Sequence, residues 1–185
     1  MKYDQLQLGE VLRFWVEELT PKQWFAGGDE LDAEIQQRFA DIHTQVAAGE
    51  FWKFRTDAHS YLAEVIVLDQ FSRQLFRGTS QAFERDGQAL VLAQQAIAAG
   101  HDTALTKDER MFLYMPFMHS ESKVIQTEAL VLFESLGNEE ALQYEKIHKN
   151  IIDQFGRYPH RNQALGREST AAEVEYLKNN QEDFF

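Results

Sequence analysis

Cysteine is absent from the 185 residues, which excludes disulfides, thiolate metal sites and a thiol nucleophile. Proline occurs only three times and glycine ten. So few breakers favour long helices over a β architecture that must turn every few residues. Basic residues are scarce as well: 18 Lys and Arg stand against 30 Asp and Glu, for a net charge of −12. A field of that sign repels nucleic acid and anionic membranes, so neither is expected as a partner. No apolar run approaches the ~20 residues of a transmembrane helix. The opening MKYDQLQLGEVLRFW lacks the apolar centre and small-residue cleavage site of a signal peptide. The expected setting is the cytoplasm. Nucleotide cradles of the GxxxxGK[ST] or GxGxxG type, an HExxH helix and a GxSxG elbow are all missing.

What the chain does have is bulk and helical period. Hydrophobic residues make up 44% of it, with 14 Phe, 6 Tyr and 3 Trp, enough for one substantial core in a single domain over 1–185. Val11, Leu12, Trp15 and Leu19 mark a first helix ending before Pro21. Leu31, Ile35, Phe39, Ile42 and Val46 mark a second, capped by Asp29 and closed by Gly49. The most apolar helix opens at Thr56 and stops at Gly78. Another opens at Thr79 or Ser80 and stops at Gly100. Thr106 with Glu109 and Thr170 with Glu173 read as capping boxes, each pair satisfying free N–H groups of a helix start. Pro116 bends or breaks the helix it sits in. Ser120 caps a continuation to Gly137, Asn138 caps a helix to Gly156, and the 181–185 tail frays. The fold expected is all-α, with seven or eight helices in antiparallel hairpins.

Three segments depart from a plain helical pattern. In the first, Asp69, Arg73 and Arg77 are spaced to share one helix face. They form either a local ion pair or a guanidinium pair aimed into a pocket. In the second, His119 and Glu121 follow the Pro116 bend, where a fresh helix start would suit an anion. The third, FGRYPHRNQALGR, holds Arg157, His160, Arg161, Asn162 and Arg167 and contains no acid. Arginine presents a planar fork matched to carboxylate or phosphate. The alternative is that these arginines bridge helix ends to the surplus acids. His148 lies two helical turns before that segment, as a core residue or as lining of the same cavity. Glu145 and His148 form one Glu-x-x-His pair, whereas a di-iron bundle needs two, so no metal site is expected.

The phrases LDQFSRQLFRGTSQAF, ERMFLYMPFMHSE and FGRYPHRNQALGREST, in that order, resemble a bacterial family known as domain of unknown function 924. The resemblance covers nearly the whole chain. It implies a tetratricopeptide-like fold and carries with it no established reaction or cofactor. The motif positions fall on Asp69, Gln70, Arg73, Arg77, Gly78, His119, Ser120, Glu121, Gly156, Arg157, Pro159, His160, Arg161, Asn162, Gly166 and Arg167. Gln74 departs from an expected asparagine.

Three functions fit these residues. The first is a pocket, with or without catalysis, for a small anionic metabolite. In it Arg73, Arg77, Arg157, Arg161, Asn162, Arg167 and His148 bind, His119 and His160 move protons, and Asp69 or Glu121 orients them. The second is a helical scaffold for an acidic peptide or protein. The third is a structural Arg/His network. Where the arginines point discriminates among them.

Overall fold

Apolar spacing becomes helix almost everywhere, and the interruptions are what position the polar residues. The computed structural model describes residues 5–26 and 28–180, and no strand occurs among them. The helices are α1 (Gln5–Leu12), α2 (Pro21–Ala26), α3 (Asp29–Ala47), α4 (Ala58–Val65), α5 (Ser72–Leu75), α6 (Asp86–Ala98), α7 (Lys107–Met118), α8 (Lys123–Leu136), α9 (Glu139–Phe155) and α10 (Ala171–Asn179). α1 continues into a π-helical turn, Arg13–Glu18. α4 and α5 are joined by another, Ile66–Phe71, so that 58–75 is one continuous rod. The 181–185 tail lies outside the described residues. None of the described helices is long and apolar enough to cross a membrane.

The locally encoded starts and stops form as read. Thr106 and Glu109 make a reciprocal capping box, as do Thr170 and Glu173, and Asn138 accepts from the Ala141 N–H. Gly137 and Gly156 end α8 and α9 in left-handed conformations, at φ 61° and 71°, where a side chain would be strained. Other boundaries move. Asp29 is the first residue of α3 and Gly28 occupies its cap; Asp57, with Ser60, caps α4 in place of Thr56. Pro21 opens the short helix α2, since its missing N–H costs nothing at a first turn. α7 runs through Pro116 and ends at Met118, so the proline sits where only one turn remains to be disturbed. Ser120 caps nothing: 119–122 is irregular, and α8 starts at Lys123.

Packing follows chain order through the second half, where α6, α7, α8 and α9 each lie against the next. α1 rests on α4, and α3 on the π turn and α5. The main core is aromatic. Phe14, Trp15, Phe39, Phe71 and Phe112 are buried and meet edge-on or tilted, with ring centroids 4.9–6.1 Å apart. Offset aromatic pairs of this kind add about 0.5–1.5 kcal/mol each beyond their buried area. A second, smaller apolar cluster forms around Ile151, Ile152 and Tyr158, with Phe155 and Tyr176 packed on it. Met115, Phe117 and Met118 belong to the main core and Tyr158 to the satellite. Several of the polar residues singled out in the sequence, among them Asp69, Arg73, His119 and Arg161, meet in the seam between the two.

Candidate functional site

The π turn puts Asp69 in the seam. Its extra residue per turn changes which side chains face inward, and such turns recur at functional sites. Asp69 is fully buried. Its carboxylate accepts from Gln70 Nε2 at 2.6 Å and from His119 Nδ1 at 2.8 and 3.0 Å, and Arg73 Nη1 lies 3.3 Å away. Arg73 also donates to the Asp69 backbone carbonyl. Burial raises the Asp69 pKa, but the Arg73 charge and the His119 contact outweigh it and hold the group well below the ordinary carboxylate range. An ionised acceptor fixes His119 Nδ1 as the donor. Burial and Arg73 lower the His119 pKa against the pull of Asp69, so the neutral ring keeps its lone pair on Nε2.

Asp86, in the first turn of α6, ties this pair to the C-terminal segment. Its carboxylate lies 3.1 Å from Arg73 Nη1 and accepts from Arg73 Nη2 at 3.2 Å and from Arg161 Nη1 at 3.0 Å. Two guanidinium groups thus share one carboxylate. Arg161 is 6% exposed and lies between the rings of Phe83 and Tyr158, with its guanidinium carbon 4.6 and 4.5 Å from their centroids. Burial lowers its pKa despite Asp86, although a guanidinium stays charged. Its buried Nε has no hydrogen-bond acceptor among the described residues.

Tyr158 anchors the far side. Its hydroxyl donates to the Met118 carbonyl and accepts from Gln126 Nε2 at 2.9 Å. The His148 ring lies 5.6 Å from Tyr158 and 6.3 Å from His119. His148 Nδ1 contacts the Tyr144 carbonyl at 2.8 Å, and because a carbonyl only accepts, that nitrogen carries the proton. Burial pushes His148 down to about 4 and, with the Arg161 charge, pushes His160 down to about 3. The His160 ring sits 5.5 Å from Tyr158. At neutral pH the seam therefore holds three neutral imidazoles.

The three motif segments meet as their Arg/His character suggested, but not every arginine takes part. Arg77 was expected to share a face with Arg73. The helix stops at Leu75, so Arg77 instead reaches α3 and pairs with Asp32 at 2.7 and 2.8 Å. Arg157 pairs with the buried Glu173 at 2.6 and 2.8 Å, and Glu173 is lowered to about 2, chiefly by that hydrogen bond. Arg167 donates to both oxygens of Glu121 at 2.7 and 2.9 Å and to Asn162 Oδ1 at 2.9 Å. Glu121 also accepts from the Tyr158 N–H, so it holds the C-terminal segment in place rather than orienting a histidine. Asn162 donates to Ser169 Oγ. These five residues tie helix ends and connections together. Asp69, Arg73, His119, His148, His160 and Arg161 come together in the seam as the candidate site.

Sequence reasoning missed Asp86, Phe83 and Tyr158. Asp86 stands 75 positions from Arg161, and no spacing rule links them. A cleft of about 270 Å³ shares no residue with the site and is lined by His43, Thr44, Phe76, Gln81, Glu84 and Arg85, among others. His43 Nε2 meets Ser72 Oγ there at 2.8 Å. Ser72 is fully buried and donates its proton to the Leu68 carbonyl, so it is not an activated nucleophile.

The family model described as "Bacterial protein of unknown function (DUF924)" matches residues 11–181. A solved structure of a protein of unknown function, ATU0120 from Agrobacterium tumefaciens, is 36% identical. The match covers 95% of this chain and 99% of that one, at a TM-score of 0.91. No protein of curated function matches the sequence significantly.

Proposed function

Because this chain belongs to the bacterial DUF924 family of unknown function, its role must be read from its own residues, and we propose that the seam binds the anionic group of a small metabolite and exchanges a proton with it. The observation that carries this is Arg161. A guanidinium clamped between Phe83 and Tyr158, with its Nε unmatched and its carboxylate shared with Arg73, is poorly explained as a helix lock. It is well suited to a carboxylate or phosphate. His119, oriented through Nδ1 by Asp69, offers Nε2 as the proton acceptor, and Asp69 is its positioning residue. His119, Arg73 and Asp86 are each partly exposed, at 14–19% of the side chain, so the seam is reachable from solvent.

The structural reading accounts for Arg77, Arg157 and Arg167, each paired with its own acid. The acidic-peptide reading has less support, since those are the arginines a peptide would need. The proposal places the protein in the cytoplasm and takes the neighbour-on-neighbour helices as a tetratricopeptide-like stack.

The test is thermal and calorimetric titration of the parent and Arg161→Met with phosphate, sulfate and acetate. Methionine keeps an apolar stem between the rings, and Asp86 keeps Arg73. The parent is expected to be stabilised by anions, and the variant to lose about 1.5–3 kcal/mol of binding with little loss of fold stability. An anion-indifferent parent, with a strongly destabilised variant, would leave only the structural reading.

A further inference from the structure

His119 and His148 are fixed in the same protonation pattern by unlike partners. The Asp69 carboxylate takes the Nδ1 proton of one, and the Tyr144 carbonyl takes that of the other. In each neutral ring the remaining nitrogen, Nε2, can only accept. Neither Nε2 accepts a hydrogen bond from the described residues. The two rings lie 6.3 Å apart, and His148 packs on the same Tyr158 ring that Arg161 covers. His119 and Arg73 likewise meet on one Asp69 oxygen, at 2.8 and 3.3 Å. Each imidazole thus has a guanidinium for a neighbour: His119 and Arg73 share the Asp69 carboxylate, and His148 and Arg161 share the Tyr158 ring.

A simple anion satisfies only the guanidinium half of that arrangement. A divalent cation would suit imidazole lone pairs, but Arg73 and Arg161 beside them repel it, and among the described residues no group of three or more His, Asp or Glu is placed to hold one. The group that satisfies both halves is an anion bearing its own hydroxyl a bond or two away. Resting on the anion-site reading above, we propose that the ligand is a hydroxyl-bearing anion: its charged oxygens lie on Arg161 and Arg73, and its O–H donates to Nε2 of His119 or His148. Both a 2-hydroxy carboxylate and a protonated phosphate carry this chemistry.

The experiment compares pairs that differ chiefly in the hydroxyl: lactate with propionate, and phosphate with sulfate. Titration calorimetry of the full chain is run near pH 6.5, where phosphate still carries a proton. Lactate is expected to bind at least about tenfold tighter than propionate, because a site built to accept a proton is left unmatched by the deoxy compound. Phosphate over sulfate by a similar factor, without a lactate preference, would assign the hydroxyl to a phosphate. His148→Phe keeps the ring against Tyr158, and His119→Phe removes the other acceptor. At least one is expected to bring the preferred pair to near equality, with the larger loss falling on the hydroxyl-bearing member. Equal binding within both pairs would overturn this inference and leave the anion site standing, as would a preference that survives both variants. No binding by any of the four would overturn both.

Discussion

Glu145, one turn before His148 on α9, is fully buried, and neither carboxyl oxygen has a hydrogen-bond partner among the described residues. Burial pushes it up to about 8, with only partial relief from Lys149. The folded state therefore holds a proton that the unfolded chain releases above its ordinary value of 4.5. The stability this group contributes is complete below that value and is lost as pH rises to about 8. Glu145→Gln keeps the neutral shape. Its denaturation free energy is expected to fall less than the parent's between pH 5 and 8, by an amount on the order of a few kcal/mol. Parallel pH profiles in urea would show that Glu145 is ionised in the native protein. Arg167 gives a second test. Glu121 is half-buried and would lose both of its Arg167 contacts in Arg167→Ala. Destabilisation by about 1–3 kcal/mol is expected, with the anion response intact, as measured by chemical denaturation and calorimetry.

The helix starts at Thr106, Asn138 and Thr170 were legible because their code is local, although the equally local Asp57 and Ser60 box was passed over for Thr56. Thr106 and Glu109 sit three residues apart and satisfy each other whatever the rest of the chain does. Thr106→Ala is expected to cost about 0.5–2 kcal/mol in denaturant unfolding. It should not alter anion binding, because the cap holds the end of α7 far from His119. The π turn Ile66–Phe71 was not legible. One added residue in a run of Ile, Val, Leu and Phe leaves an apolar pattern that reads as plain α-helix. The turn nevertheless decides that Asp69 faces His119. Arg77 failed for a related reason: a face computed at i+8 requires the helix to persist, and this one stops at Leu75. Ser120 looked like a cap because serine follows a proline-containing helix, yet Ser120 Oγ accepts from Ser122 N–H inside an irregular connection.

At the scale of the molecule, the site's membership was half legible. The concentration of arginine and histidine in an acidic chain pointed to three segments whose residues meet in space, since such cations must find either acids or a ligand. Which acid each one finds depends on contacts 13 to 75 positions apart, such as Arg73 and Arg161 on Asp86, and no periodicity encodes that. The satellite cluster around Ile151, Ile152 and Tyr158 has a further consequence. It is a small apolar core of its own, joined to the main core across polar contacts that water can replace more cheaply than it can replace Trp15 or Phe71. Segment 157–179 is therefore expected to open as one cooperative unit at a lower free energy than α4 and α7. In native-state hydrogen exchange its amides should share a single protection level below the global one. An anion bound at Arg161 should raise that level, converting occupancy of the seam into slower breathing of the chain's C-terminal region.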